Sequence, residues 1–296
     1  MSDGWNWHQP DRLALAMKRR YYSIRTGKNP NAAEIDFKTL KSLFATAYKQ
    51  WDAAGYFQEH FGYFCVDSGD VPGKLGSDIS ATLLFHLRKA ELWPLLKAIE
   101  TYKEDDLFDM IEFLYDHISK PLDGYFHSFS GCGYHYSTFD VASGQREFRE
   151  RVNDLMGAYR SGFEVSESGE ILELSPLGTE PLLVADIPSA DSNIVSRINT
   201  AIAKFRRYRA SNAERRDAIR DLADVLEYLR PQIKQILTKA DESDLFNLAN
   251  NFGIRHHNSH QKTDYDSAIW LSWMFYFYLS TIHACLRMLK KRDGLP

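Results

Sequence analysis

Apolar residues recur at spacings of three and four along most of the first 120 residues, the period of an amphipathic helix. The stretch DFKTLKSLFATAYKQWDAAGYF places Leu40, Leu43, Phe44, Tyr48 and Trp51 on one stripe. SDISATLLFHLRKAELW resumes the period, with Ser77 or Asp78 as N-cap and Pro94 as its end or kink. EDDLFDMIEFLYDHIS turns Leu107, Met110, Ile111 and Leu114 inward, and Pro121 is expected to end it. Residues 66–78 are glycine-rich and read as a loop, without the GxxxxGK[ST] spacing of a phosphate cradle. Residues 121–144, PLDGYFHSFSGCGYHYSTFDVASG, also read as a polar loop. REFRERVNDLMGAYR is then a short helix, and GFEVSESGEILEL alternates on both sides of Ser-Gly as a β-hairpin does.

Pro176, Gly178, Pro181 and Pro188 mark a boundary, dividing the chain into domains of residues 1–188 and 189–296. Beyond it the period-3.6 pattern returns. A helical stretch opens at Asp191 or Ser192, DAIRDLADVLEYLRP turns Ile219, Leu222, Ala223, Leu226 and Leu229 to one side, and ESDLFNLANNFGI turns in Leu245, Leu248, Ala249 and Phe252. A last long helix is capped within residues 264–267. The expected fold is mainly α: an N-terminal helical domain ending in a small β-hairpin, then a C-terminal up-and-down four-helix bundle.

The last helix raises a membrane question, because residues 268–286, AIWLSWMFYFYLSTIHACL, carry no formal charge unless His283 is protonated. Ser272, Tyr276, Tyr278, Ser280, Thr281 and His283 lie mid-run, where lipid offers no polar partners, and aromatics fill its centre rather than its ends. A buried helix needing partners all round is expected, with no stable membrane insertion; a tail anchor is the lesser alternative.

Composition adds limits. With 44% hydrophobic and 26% charged residues the chain is ordinary globular protein, and its net charge of −4 means a polyanion must be held by a local basic patch. Three scattered cysteines, Cys65, Cys132 and Cys285, show no CxxC spacing, which fits a reducing compartment and offers no zinc motif. The N-terminal MSDGWNWHQPDR has no apolar core of a secretory signal, so a cytoplasmic location is expected. His127 and His135 invite a metal, but no carboxylate or cysteine is read at ligand spacing, and no cofactor is expected. Residues 204–220 hold seven basic side chains, Lys204, Arg206, Arg207, Arg209, Arg215, Arg216 and Arg220, against Glu214 and Asp217. They are either a solvated face with ion pairs or a phosphate-contacting patch.

NNFGIRHHNSHQ, residues 250–261, is the densest chemistry. His256 and His260 stand at i, i+4, a metal-ligand spacing, yet the residues between are His, Asn and Ser, with no carboxylate beside them. A helix C-terminus favours Arg and His, which explains Arg255 and one imidazole but not the set. An arginine that holds a phosphate and a histidine that moves a proton suffice for metal-free RNA cleavage, since RNA supplies its own 2′-hydroxyl nucleophile. Attack on the adjacent phosphate leaves a 2′,3′-cyclic phosphate and a 5′-hydroxyl.

Arginine followed after four to six residues by histidine, between the last two helices of a small bundle, resembles the motif of the HEPN ribonuclease superfamily; His256 stands where a polar residue often follows the arginine. FDMIEFLYDHIS and VNDLMGAYRSGFEVSESGEILEL are similar to the end of the AbiJ-type abortive-infection N-terminal domain. ERRDAIRDLADVLEYL and NNFGIRHH resemble the helical domain that follows it, so the likeness spans residues 30–290 and is most specific at residues 253–256. The resemblance implies a metal-independent endoribonuclease of bacterial antiphage defence or toxin type, working as a homodimer on RNA such as tRNA or mRNA, with an antitoxin or phage-derived trigger. It implies Arg255 on the scissile phosphate, His260 as acid–base, His256 as helper, and Asn258 orienting a ring. It leaves open which of His256, His257 and His260 does the proton chemistry. RNA backbone is then expected on Lys204, Arg206, Arg207, Arg209, Arg215 and Arg216. The alternative is a catalytically silent module that binds RNA or protein.

Overall fold

The computed structural model describes residues 21–29, 34–160, 162–175, 179–239, 243, 245–246 and 266–293. They are mainly helical, as expected, with four small two-stranded antiparallel sheets.

The first hydrophobic core is built from α1 (Phe37–Ala53), α2 (Ile79–Leu87), α3 (Glu104–His117) and α4 (Val141–Met156). Asp36 starts α1 by accepting the Thr39 N–H at 2.7 Å, and Asp78 starts α2 by accepting the Ala81 N–H at 3.0 Å. Leu40, Phe44, Tyr48 and Trp51 of the expected stripe are buried, but Leu43 is 41% exposed. The stripe is centred on the other side, where Lys41 is buried and its ammonium donates to the Glu100 carbonyl at 2.6 Å. On α3, Leu107, Met110, Ile111 and Leu114 are all fully buried.

Three expectations about boundaries need correction. Helix α2 stops at Arg88, which adopts φ 61° as its C-cap; a turn at Ala90–Leu92 follows, and Pro94 opens the short helix Leu95–Ala98 instead of ending α2. Residues 66–78 are not all loop: β1 (Tyr63–Cys65) pairs with β2 (Gly69–Val71). Nor is 121–144 a loop. It folds as β3 (Lys120–Pro121) on β6 (Phe139–Asp140), enclosing the hairpin β4 (Gly124–His127) and β5 (Gly133–Tyr136). Aromatic enrichment in GYFH and GYHY is a strand signal that the glycines and serines around it conceal.

The hairpin β7 (Phe163–Val165) and β8 (Ile171–Glu173) docks on this core through side chains. Asn153 accepts from the Val165 N–H at 2.7 Å and donates to its carbonyl at 3.3 Å; Glu112 accepts the Ile171 N–H at 2.8 Å.

A second hydrophobic cluster joins α5 (Ser192–Arg206), α6 (Asn212–Ile233) and α7 (Ser267–Arg292). Arg209 at φ 55° breaks α5 from α6, and Ser211 restarts the chain with a reciprocal capping box to Glu214. Along α7, Leu271, Met274, Phe275, Tyr278, Leu279, Ile282, Cys285, Leu286 and Leu289 are buried at spacings of three and four. Phe275 stacks on Phe205 with centroids 4.0 Å apart. Ile269–Arg292 is long and apolar enough to cross a membrane, and half of its most apolar window is buried.

Candidate functional site

Arg255, His256, His257, Asn258 and His260 lie outside the described residues. In sequence they fall between α6 and α7, two helices that share one apolar core.

The six residues expected on RNA backbone are described, and most face carboxylates. Arg206, only 9% exposed, donates from Nη2 to Glu164 at 2.6 Å and from Nε to the Glu173 carbonyl at 3.0 Å. Arg215 reaches Glu173 at 2.9 Å, and Arg207 reaches Glu170 at 3.3 Å. Arg209 binds Asp105 at 3.0 Å and Glu104 at 3.3 Å. Lys204 binds Asp221 on α6 at 2.5 Å. Arg216, half-buried, has no carboxylate partner among the described residues. The acids meeting Arg206, Arg207, Arg209 and Arg215 come from α3 and from the β7–β8 hairpin. These arginines therefore hold the second helical cluster to the first half of the chain, and an open phosphate-binding face is not what their geometry offers.

Glu104 is the hub of that junction. Burial alone would raise its carboxyl, but hydrogen bonds from Tyr159 and Tyr208 and the charges of Arg160 and Arg209 hold it below the usual carboxylate range. Burial and the Glu104 bond push the Tyr208 phenol up to about 12. The carboxylate is held as an anion by hydroxyls and guanidinium groups, which is structural chemistry.

Four chemically reactive side chains that were not expected to meet do so beside β1. The Sγ atoms of Cys65 and Cys132 and one ring nitrogen each of His127 and His135 all lie within 4.8 Å of one another. In an antiparallel pair with Tyr125 opposite His135 and His127 opposite Gly133, period-2 alternation puts Tyr125, His127 and His135 on one face of β4–β5. Gly131 and Gly133, at φ 71° and 96°, let the chain turn sharply on both sides of Cys132 and bring its thiol back over that face. Cys65, the last residue of β1, closes the group from the neighbouring hairpin. Its sulfur is 3.7 Å from His127 Nδ1, and Cys132 Sγ is 3.1 Å from His135 Nε2 and 3.7 Å from the Phe64 carbonyl. Cys65 and His135 are buried, at 4% and 2% exposure; His127 and Cys132 are half-buried. The Asp67 and Ser68 backbone N–H groups, with burial opposing them, bring the Cys65 thiol down to about 7.

This group corrects two expectations, that His127 and His135 sit in a bland loop and that the cysteines offer no metal set. Cys132 stands at His-x4-Cys and Cys-x2-His spacing, a signal present in the sequence and passed over. Cys65, 62 residues from His127, could be found only from the fold.

No family model, no curated protein and no solved structure matches the chain.

Proposed function

We propose that the chain is a metal-independent endoribonuclease with a HEPN-like C-terminal bundle, preceded by a sensing or regulatory N-terminal half, in the division 1–188 and 189–296. One observation carries the reading: Arg255 and His260 fall in the connection between α6 and α7, which together with α5 enclose one apolar core. Arg255 holds the scissile phosphate and stabilises charge on its oxygens. A histidine, His260 with His256 beside it, takes the 2′-hydroxyl proton and returns one to the leaving 5′-oxygen; Asn258 orients a ring. Two copies set their Arg/His segments face to face, and the exposed Ile269, Trp270 and Trp273 at the start of α7 offer apolar surface for that pairing. RNA contact outside the cleft then falls to Arg216, because the other arginines already have carboxylates. The protein acts in the cytoplasm, restrained until an antitoxin or phage-derived trigger releases it.

The test is cleavage of tRNA or mRNA in buffer without added divalent cation. Products should carry a cyclic phosphate, and Arg255→Ala should lose about 10²–10³-fold in rate. Cleavage left intact by Arg255→Ala would sink the assignment. The second reading is a catalytically silent module that binds RNA or protein. Expression decides between them: an active nuclease slows its host and the Arg255→Ala form does not.

A further inference from the structure

We propose that Cys65, His127, Cys132 and His135 form a structural Zn²⁺ site that fastens the β4–β5 hairpin to the β1–β2 hairpin. Two thiolates and two neutral imidazoles are the donor set of closed tetrahedral zinc sites, and the two negative charges balance the ion. Donors about 2.0–2.3 Å from one ion at tetrahedral angles stand roughly 3.3–3.8 Å apart. The contact of 3.7 Å lies within that range and that of 3.1 Å just below it, and all four donor atoms fit within 4.8 Å.

The outer shell identifies which nitrogen of each ring is for the metal. His127 turns Nδ1 toward Cys65 and its Nε2 toward the Asp67 carboxylate at 3.2 Å. His135 turns Nε2 toward Cys132 and its Nδ1 toward the Tyr125 hydroxyl at 2.9 Å. Each imidazole has one nitrogen on the common centre and the other held from outside, the arrangement that fixes tautomer and ring orientation in metal sites. Asp67 and Ser68 present backbone N–H groups to the Cys65 sulfur from the β1–β2 turn.

The surroundings say why the fold needs an ion there. Phe64, Tyr125, Phe126, Phe129 and Tyr134 are each more than half exposed, so the two hairpins share almost no apolar interior. Two-stranded ribbons without a core are marginal, and a metal replaces the core. Four protein donors leave no open position for substrate or water, so the ion is structural and takes no part in RNA cleavage.

The full chain, purified without a histidine tag under reducing conditions, should hold one zinc ion per chain by elemental mass spectrometry. Replacement by Co²⁺ should give the ligand-field and thiolate charge-transfer bands of a tetrahedral two-sulfur site. Cys132→Ser and His135→Ala should each lose these bands and the bound zinc, while Cys285→Ser keeps both. Helical circular dichroism, carried mainly by elements outside the hairpins, reports whether each variant still folds. Should a variant fail to fold, the Co²⁺ spectrum of the unaltered protein decides alone. A protein that takes up neither Zn²⁺ nor Co²⁺, a Co²⁺ spectrum without thiolate bands, or a Cys65–Cys132 disulfide in freshly purified protein overturns the site.

Discussion

Between residues 204 and 220 four arginines face carboxylates of the other half of the chain; between residues 121 and 144 two histidines and a cysteine face one another. The first region advertises itself by charge, and its charges are cancelled locally: Arg206 by Glu164, Arg207 by Glu170, Arg209 by Glu104 and Asp105, Arg215 by Glu173. The second has little formal charge and looks bland, yet four of its and its neighbour's donors converge with no opposite charge among them. Density of charge is therefore a poor guide to a ligand site, because ion pairs consume it. Convergence of soft donors from separate chain segments is a better one.

The largest effect that would separate the two regions is metal removal. Small structural zinc sites contribute about 10–16 kcal/mol of apparent binding free energy to the folds they hold. Stripping the ion with a strong chelator should raise amide exchange across residues 124–136 by about 100-fold or more, while α5 and α6 keep their protection. Unchanged exchange in the hairpin would return residues 121–144 to an ordinary surface loop.

The next largest lies at the junction. Arg206 is almost buried, and removing it strands both Glu164 and the Glu173 carbonyl. Arg206→Ala should cost about 1.5–3 kcal/mol, because Glu164 is partly open to water once the guanidinium is gone, read by urea denaturation. Because the chain has two hydrophobic clusters, the loss should also separate one unfolding transition into two. A loss below about 1 kcal/mol would mean the guanidinium is not the clasp described, and would reopen it to phosphate.

How much of this the sequence showed depends on the range of the interactions. Helices α1, α3 and α6 were legible because their buried faces repeat within each segment, and the start of α2 because its cap, Asp78, acts over three residues. The β4–β5 hairpin is hidden because glycine and serine outweigh its short aromatic runs. The partners of Arg206 and Arg209 lie 42 and 104 residues away, so no local rule distinguishes them from a free basic face. Of the candidate sites, the Arg255 and His260 segment was read from local spacing alone, whereas the Cys65 cluster needed three separate chain segments to be brought together.

Acid provides a probe confined to one pH window. Burial lowers the imidazoles of His60, His117 and His283; Lys74 and His86 add to this for the first two, Arg287 for the third, while Glu59 and Asp116 oppose it. His283 is 4% exposed on α7, with neither ring nitrogen bonded among the described residues. A base whose folded pKa is depressed leaves the unfolded state binding more protons. Stability is thus complete above the unfolded value of about 6.5 and falls as pH drops below it. His283→Leu should flatten that acid slope for the α5–α7 cluster, measured as Tm between pH 7 and 5, without touching the hairpins. An unaltered slope would place the acid sensitivity in the His60 and His117 pair.

The smallest effect is the sharpest test of whether the arginines are equivalent. Arg209 binds Asp105 and Glu104 but is 61% exposed, and it lies over the Tyr208 ring at 4.9 Å. If it is removed, Glu104 keeps the Tyr159 and Tyr208 hydroxyls and Arg160, so no buried charge is stranded. Arg209→Ala should therefore cost no more than about 1 kcal/mol, and that cost should shrink in high salt. RNA affinity offers a second readout on the same variant. A residue on RNA backbone contributes about one unit to the slope of log affinity against log salt, whereas a junction residue contributes nothing. The expected outcome is an unchanged slope for Arg209→Ala and a reduced one for Arg216→Ala, whose side chain has no carboxylate of its own among the described residues.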